Sequence, residues 1–232
     1  MLCKIADLLV EVPATGGMAP RCKEYLCEEV RKPDIIITSE KYSPKRYSDK
    51  LDEQGVAYLE SGYQFCIELL KFDGLYIHAS AVELNGQVYL FSGNSGIGKS
   101  THTRLWQQVH GEAACIINDD KPALRKLDNC WYVYGTPWCG KDGINQNRKA
   151  ELAGICFLSR GEKNCIRKLE KQEAFAKIVA QTVRKFNRLE NLDLMIHHVN
   201  NLVNDIPIYE LVCKPDRDAA ILSYETMCRI QG

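Results

Sequence analysis

Apolar residues along this chain fall mostly into short runs separated by glycine, asparagine, aspartate and proline, the pattern of β-strands joined by turns. Strands are predicted at residues 8–12, 34–38, 75–82, 87–92, 114–118, 123–127, 131–134, 153–158, 165–169 and 207–213. Apolar residues at helical spacing predict helices at 101–109, 172–188 and 192–204, and Pro215 is placed at the first position of a final helix. Many strands, with helices gathered late in the chain, indicate an α/β protein with a mixed sheet.

The N-terminal part of the chain differs from the rest. We expect residues 1–72 to form a small, β-rich accessory lobe and residues 73–232 to form the core. No linker rich in proline, glycine or serine separates the two parts. The charged and aromatic segment 39–52 predicts an exposed loop or irregular strands, and the pattern at 64–70 fits a short helix or a strand.

Composition narrows the possible partners. Apolar residues make up 45% of the 232 residues, and 30 basic side chains balance 30 acidic ones. The chain therefore has no basic excess that would indicate a nucleic-acid partner. No apolar run reaches the length of a membrane-spanning helix, and the N-terminus lacks the layout of a signal peptide, so we expect a cytoplasmic protein.

The cysteines do not form a metal-binding pattern. There are 11 of them, without a C-x-x-C pair or histidines at zinc-ligand spacing. We interpret them as reduced thiols, several of them buried as small apolar residues, such as Cys66, Cys115 and Cys156. Cys139 lies in a loop that could be functional, and a nucleophilic role for it is the less favoured interpretation.

One glycine-rich segment carries the strongest chemical signal. Gly-Asn-Ser-Gly-Ile-Gly-Lys-Ser fits the spacing G-x-x-x-x-G-K-S/T, with a predicted strand before it and a predicted helix after it. Glycines let a loop turn its N–H groups inward around a phosphate, and the start of a helix adds further donors. The predicted nucleotide-binding residues are Gly93, Asn94, Ser95, Gly96, Ile97, Gly98, Lys99, Ser100 and Thr101.

The lysine and serine of this loop have distinct expected roles. Lys99 can place a positive charge against the β- and γ-phosphates of a nucleoside triphosphate. Ser100 can offer its hydroxyl to Mg²⁺. The segment therefore predicts ATP and Mg²⁺ as cofactors.

A carboxylate pair follows the next predicted strand. Asp119 and Asp120 could supply one carboxylate to the metal and one to accept a proton from an attacking hydroxyl, because adjacent side chains of a strand point to opposite sides. The alternative is an ordinary turn, since Asp-Asp-Lys-Pro is rich in turn residues. His78 lies upstream; if the strands around it pair through a hairpin at Asn85–Gly86, it falls at the same end of the sheet.

A second glycine-containing segment follows residue 134. Its sequence, Gly-Thr-Pro-Trp-Cys-Gly-Lys, could form a loop that binds the acceptor or closes over phosphate, or an ordinary tight connection. Lys141 and Arg148 are the nearest cations that could face a transferred phosphate.

These elements together resemble the HPr kinase family. The resemblance covers the order of motifs over about residues 74–125: Ile-His-Ala-Ser-Ala-Val, the Asn-Gly turn, the glycine loop and Ile-Asn-Asp-Asp. It is closest to HPr kinase-like proteins associated with peptide modification, and the family shares its core with ATP-dependent phosphoenolpyruvate carboxykinases. Thr101 stands where the carrier-protein kinases have an acidic residue.

The resemblance implies a fold and roles for particular residues. The expected fold is a mixed β-sheet core of the HPr kinase and carboxykinase type, and a homo-oligomer is possible. Asp119 would be the general base, and Asp120 would lie in the metal or phosphate shell, although the two roles could be exchanged. His78 would lie near the transferred phosphate.

The sequence therefore predicts an ATP- and Mg²⁺-dependent kinase with a hydroxyl acceptor, such as serine in a peptide, a protein or free form. Two alternatives remain at this point. One is a non-catalytic protein that binds a nucleotide and signals to a partner. The other is a carboxykinase-like enzyme acting on a small acid, which would need arginines aligned for a carboxylate.

Overall fold

The apolar strands of the sequence assemble into two sheets in the computed structural model, which describes residues 1–14, 17–39, 51–183, 186 and 188–228. The helices are α1 (Met18–Arg21), α2 (Glu53–Leu69), α3 (Lys99–His110), α4 (Lys171–Gln181), α5 (Leu189–Asp205) and α6 (Arg217–Cys228). The strands are β1 (Leu2–Ile5), β2 (Leu8–Glu11), β3 (Ile35–Ile36), β4 (Gly74–Tyr76), β5 (Ala79–Leu84), β6 (Gln87–Ser92), β7 (Ala114–Asp120), β8 (Ala123–Leu127), β9 (Cys130–Tyr134), β10 (Lys149–Arg160), β11 (Cys165–Lys168) and β12 (Ile208–Cys213). The protein is a mixed α/β structure.

The larger sheet is mixed in strand direction. Its nine strands, counted over the described residues, run β4-β8-β9-β10-β6-β5-β7, and β12 joins β10 and β11. Strands β6 and β12 are parallel to the long strand β10, while β5 is antiparallel to both β6 and β7. Because β5 separates β6 from β7, those two strands run in the same direction and their carboxyl ends meet at one edge.

Helices cover both faces of this sheet. In β6, Val88 and Leu90 belong to a buried cluster with α4 and α5, while Tyr89 and Phe91 belong to a second cluster with α3 and α6. A strand that is buried on both faces has apolar residues at successive positions. This pattern allowed β6 to be predicted from the sequence.

The smaller sheet packs onto the core through a shared apolar cluster. It contains β1, β2 and β3, and its buried residues lie in one cluster with Phe65 and Leu69 of α2 and with Trp138. The rings of Phe65 and Trp138 stack at 4.7 Å, and the Trp138 indole N–H donates to Ser61 at 3.0 Å. Helix α2 therefore holds the loop that follows β9 in place.

Several predicted elements are confirmed. Strands β6 and β8 have the predicted bounds, and β2, β7, β9, β11 and β12 differ by a few residues at their ends. The hairpin between β5 and β6 turns at Asn85 and Gly86, which have φ of 53° and 81°. Both residue types tolerate this left-handed region, and Asn-Gly is therefore the strongest short hairpin signal.

The ambiguous pattern at 64–70 belongs to a long helix. Helix α2 has 17 residues and begins after Asp52, whose carboxylate accepts from the Gly55 N–H at 2.8 Å. Of the segment 39–52, positions 40–50 lie outside the described residues. Strand β1 was not predicted; it pairs with β2 through a turn in which Ala6 and Asp7 have positive φ.

The predicted strand 75–82 is wrong as a single element, because the chain leaves the ladder at Ile77 and His78. There, the His78 N–H donates to the Gln181 carbonyl at 2.8 Å, and the Thr182 hydroxyl donates to the Tyr76 carbonyl at 2.6 Å. The end of α4 therefore takes the backbone groups that a continuous strand would have used.

Two helix ends also differ from the prediction. Helix α4 ends at Gln181 rather than near 188, because Thr182 is already extended; residues 184, 185 and 187 lie outside the described ranges. The last helix begins at Arg217, so Pro215 precedes it instead of occupying its first position. Asp216 accepts from the Ala219 N–H at 2.9 Å and caps this helix, as a short acidic side chain commonly does.

Gly135 provides a test of how tightly the loop after β9 is packed. A Cβ at this position would lie 1.9 Å from the Gln146 carbonyl oxygen and 2.7 Å from that of Ile117. We expect Gly135→Ala to lower the free energy of unfolding by about 1–3 kcal/mol, because backbone atoms cannot move aside as a side chain can. Thermal unfolding should show a midpoint lowered by roughly 5 °C.

The matched control for this prediction is Gly154→Ala. Its added Cβ would lie 3.1 Å from Cε of Met227, the flexible end of a long side chain that can shift. We expect this variant to unfold close to the wild-type temperature. Equal midpoints for Gly135→Ala and the wild type would show that the backbone does not approach Gly135 this closely.

Candidate active site

The glycine-rich loop connects β6 directly to α3. Gly96 and Gly98 have φ of 77° and 115°, and a Cβ at either position would meet no atom within 4 Å. The loop therefore presents an open, side-chain-free surface. Gly98 is also the N-cap of α3, and no side chain caps the first turn, so its backbone N–H groups remain available as donors.

Lys99 lies beneath this loop. Its side chain is buried, with 9% of the residue surface exposed, and its ammonium group donates to the carbonyl oxygens of Gly93 at 3.1 Å and Asn94 at 3.4 Å. Burial lowers the pKa of Lys99, and the nearby charges of Asp120 and Asp119 oppose that shift. An ammonium group has three donors, so one remains for a ligand. The loop thus holds a desolvated positive charge next to an open backbone surface.

The carboxylate pair lies at the end of β7, beside this loop. Asp119 is opposite Ser80 in the antiparallel ladder, and the Ser80 hydroxyl contacts the Thr103 hydroxyl of α3 at 2.9 Å. Residues directly opposite in a ladder share a face, so Asp119 lies on the α3 side of the sheet, and Asp120 leaves the strand on the other side.

Asn118 fixes the backbone that carries the pair. Its side-chain oxygen accepts from the N–H groups of Asp120 at 3.1 Å and Lys121 at 2.8 Å, and its amide donates to the Thr136 carbonyl at 3.0 Å. Asn118 is fully buried, and a buried amide with satisfied partners holds its neighbours rigidly. The strand end is therefore a defined platform for both carboxylates.

The two carboxylates have different surroundings. Asp120 accepts from the Tyr58 hydroxyl at 2.9 Å, pairs with the Lys121 ammonium and lies 3.4 Å from Nε2 of His78. Within the described ranges, no hydrogen bond reaches the Asp119 carboxylate. Asp120 is thus held in one orientation, whereas Asp119 is available to a ligand.

His78 connects the pair to the glycine loop. Its Nδ1 lies 3.3 Å from the Gln181 side-chain oxygen, and the Gln181 amide donates to Asn94 at 3.3 Å. Burial lowers the pKa of His78, and the positive charge of Lys99 lowers it further, although Asp120 opposes both effects. A lowered pKa leaves the imidazole neutral at neutral pH, so His78 acts there as a hydrogen-bonding group.

His78, Lys99 and both carboxylates of the pair line one cleft of about 720 Å³. One wall is formed by the loop and α3, and the floor by the carboxylate pair and His78. The opposite wall comes from residues before position 60. The residues on that wall are Gly17, Arg21, Leu51, Asp52, Gln54, Gly55, Tyr58 and Leu59.

The two candidate cations after β9 lie in different places. Lys141 is exposed and lines the cleft. Arg148 is exposed but does not line it; its guanidinium pairs with Glu83 at 3.1 Å. Glu83 lies next to the hairpin end of β5, far along the strand from His78. The structure therefore joins Lys141 to the site and leaves Arg148 outside.

Arg21, Tyr58 and Lys121 are among the cleft residues that were not predicted from the sequence. Lys121 could have been found, since it directly follows the carboxylate pair. No local signal marks Arg21 or Tyr58, because each reaches the cleft only through the packing of α1 and α2 on the loop after β9.

The cysteines add no reactive group to this cleft. All eleven lie within the described ranges as free thiols, and Cys139 is buried. Burial raises the pKa of Cys139, and the Arg21 guanidinium, which lies 3.3 Å from its sulfur, only partly offsets that effect. A thiol with a raised pKa is a poor nucleophile, so the geometry does not favour the nucleophilic interpretation of Cys139.

The cleft was also considered as a site for a cation. Across the described ranges, no group of three or more His, Cys, Asp or Glu side chains could hold a metal ion. Mg²⁺ in phosphoryl-transfer enzymes is commonly held by one or two protein oxygens together with phosphate, and the cleft offers such oxygens.

Among the helices of the described residues, none has the length and apolar character that a membrane-spanning segment requires.

Comparisons with known proteins give a distant structural likeness. No family model matches this chain, and no curated protein matches it. Among solved structures, the Hpr(Ser) kinase/phosphatase from Coxiella burnetii is similar to it with 16% sequence identity and a TM-score of 0.38, over 67% of this chain and 88% of the other. At this level of similarity, a functional assignment rests on the residues of the cleft.

Proposed function

We propose that this protein is an ATP- and Mg²⁺-dependent kinase that transfers the γ-phosphoryl group to a hydroxyl acceptor, with serine in a peptide, a protein or free form as the preferred acceptor. One observation carries the proposal. The buried Lys99 ammonium and the unpaired Asp119 carboxylate line the same cleft beside an open glycine loop. The loop and the Lys99 ammonium can bind the phosphates of a nucleoside triphosphate. The Asp119 carboxylate can accept the proton of an attacking hydroxyl.

The loop and Lys99 suit the phosphates of ATP. The surface at Gly96 and Gly98 is open to an anion, and the uncapped first turn of α3 supplies N–H donors with partial positive charge. A desolvated lysine is stabilised by an anion that replaces its lost hydration. These groups orient the β- and γ-phosphates toward the floor of the cleft.

The oxygens near the loop suit Mg²⁺, which is a hard cation. The Ser100 hydroxyl and the Asp120 carboxylate would hold it, and when bound it neutralises charge between the β- and γ-phosphates. The free carboxylate of Asp119, on the α3 face, could exchange roles with Asp120. We assign the metal role to Asp120 because it is already fixed by Tyr58 and Lys121.

Asp119 is the proposed general base. Its carboxylate has no hydrogen-bond donor among the described residues, so it can accept the proton of the acceptor hydroxyl. The hydroxyl oxygen forms a bond to the γ-phosphorus, the bond from that phosphorus to the β–γ bridging oxygen breaks, and ADP leaves. The proton ends on Asp119, and Lys99 balances the charge on the phosphoryl oxygens.

Transfer from γ-labelled ATP tests this function. The purified protein is incubated with Mg²⁺, labelled ATP and a panel of serine-containing peptides, free serine and small hydroxyl compounds. We expect label in one class of hydroxyl acceptor. ATP binding without loss of label to any acceptor or to water would favour a non-catalytic nucleotide-binding protein. Phosphoryl exchange that needs a small carboxylic acid instead would favour a carboxykinase-like enzyme.

A further inference from the structure

Tyr58 of α2 contacts the floor of the cleft from the wall opposite the glycine loop. Its hydroxyl donates to Asp120 at 2.9 Å and accepts from the Gly140 N–H at 3.0 Å. The Lys121 ammonium also approaches this oxygen, at 3.4 Å. A phenol has a single proton to donate, and here both N–H donors point at its oxygen, so that proton is directed to the Asp120 carboxylate.

Two cations lie over the ring of Tyr58. The Arg21 guanidinium carbon and the Lys121 nitrogen each lie 4.8 Å from its centroid. Arg21 also donates to the Gly140 carbonyl at 3.1 Å. Cations over an aromatic face are attracted by its negative quadrupole, and both contacts fix the plane of the ring. The hydroxyl therefore has little freedom to leave Asp120.

These contacts connect Asp120 to the loop after β9. The Gly140 N–H donates to the Tyr58 hydroxyl oxygen, whose own proton is donated to Asp120. A Cβ at Gly140 would lie 3.3 Å from the Cβ of Asp120. One phenol oxygen therefore joins the Asp120 carboxylate to the backbone of this loop.

We infer that Tyr58 is a positioning residue for phosphoryl transfer, which orients Asp120 in the cleft and couples it to the loop that carries Lys141. The inference rests on the proposed kinase function. It also brings α2 into the catalytic site, because this helix supplies the side chain that holds Asp120. A carboxylate misplaced by 1 Å loses much of its effect, so the orientation itself contributes to the rate.

The test is Tyr58→Phe, which keeps the ring and both cation contacts and removes only the hydroxyl. We expect kcat to fall about 10-fold, as for the loss of one hydrogen bond to a charged group, with the KM for ATP unchanged within about twofold. A variant that merely loosened the fold would change both constants and the melting temperature together. A kcat equal to that of the wild type would overturn the inference.

The matched control is Tyr134→Phe. The Tyr134 hydroxyl also donates to an aspartate, Asp7, at 2.8 Å, but Tyr134 does not line the cleft. We expect Tyr134→Phe to lower the free energy of unfolding about as much as Tyr58→Phe does, but to leave kcat unchanged. If both variants lose kcat to the same extent, the effect of Tyr58 is structural and the inference fails.

A double-mutant cycle separates action through Asp120 from other effects. In an Asp120→Ala background, the Tyr58→Phe change should lower the residual rate by less than about twofold, because the group it orients is gone. A further 10-fold loss in that background would contradict positioning through Asp120. If the wild-type protein transfers phosphate to no acceptor, the proposed kinase function is refuted. If the wild type transfers phosphate and Tyr58→Phe does so at the same rate, only the inference about Tyr58 is refuted.

Discussion

Lys99→Ala should abolish nucleotide-dependent activity and weaken ATP binding by roughly 100-fold, the equivalent of about 3 kcal/mol. The ammonium is buried under the glycine loop and has only the Gly93 and Asn94 carbonyls as partners among the described residues, so it is positioned to receive an anion. Alanine removes the charge and leaves the loop backbone in place. Isothermal titration with ATP and with ADP measures the loss, and transfer assays with labelled ATP measure the activity.

The control for this variant is Lys168→Ala. Lys168 lies on β11, is exposed and does not line the cleft, so its removal changes the net charge equally. We expect wild-type ATP binding and activity from the control. If Lys99→Ala binds ATP with wild-type affinity, the loop is not the phosphate site, and the proposed function loses its main support.

Asp119→Asn should leave ATP binding nearly intact and reduce transfer by about 100- to 10,000-fold, the usual contribution of general acid–base catalysis. The amide has the same shape as the carboxylate but cannot accept the acceptor's proton. Because the Asp119 carboxylate has no hydrogen-bond partner in the described residues, the substitution disturbs no other contact of its side chain. Rapid-quench measurement of a single turnover separates the transfer step from product release.

Asp128→Asn is the matched control for this second variant. Asp128 is exposed in the turn between β8 and β9 with φ of 49°, a conformation that asparagine tolerates well. It should transfer phosphate at the wild-type rate. Transfer by Asp119→Asn at the wild-type rate would show that Asp119 is not the base, and the same assay on Asp120→Asn would then decide whether the two carboxylates exchange roles.

The parts of the site that were predicted from the sequence are those with a local physical signature. A buried strand, a glycine loop and the start of a helix must follow one another in the chain, so the sequence alone places Lys99 in the loop. The hairpin at Asn85–Gly86 aligned β5 with β6, and β7 then brought Asp119 to the same edge. The proximity of His78 to that edge followed from this pairing.

The parts that were missed depend on contacts between distant segments. The break at His78 exists because the end of α4 bonds to the backbone there, and no pattern in residues 75–82 reveals it. The same holds for Arg148, whose charge is paired with Glu83 across 65 positions of sequence. Nearness in sequence to the loop after β9 was therefore a poor guide to which cation faces the cleft.

The sequence by itself determined the mixed α/β class, most strand positions, the glycine loop with its lysine and the carboxylate pair, because these follow from local backbone preferences and burial periodicity. Only the tertiary structure decided which side chains meet in the cleft. Tyr58 contacts Asp120 across 62 positions of sequence, and α2, which carries Tyr58, packs against Trp138. Arg21 of α1 contacts Gly140 across 119 positions. Such contacts depend on how separate elements pack, which local sequence patterns do not predict.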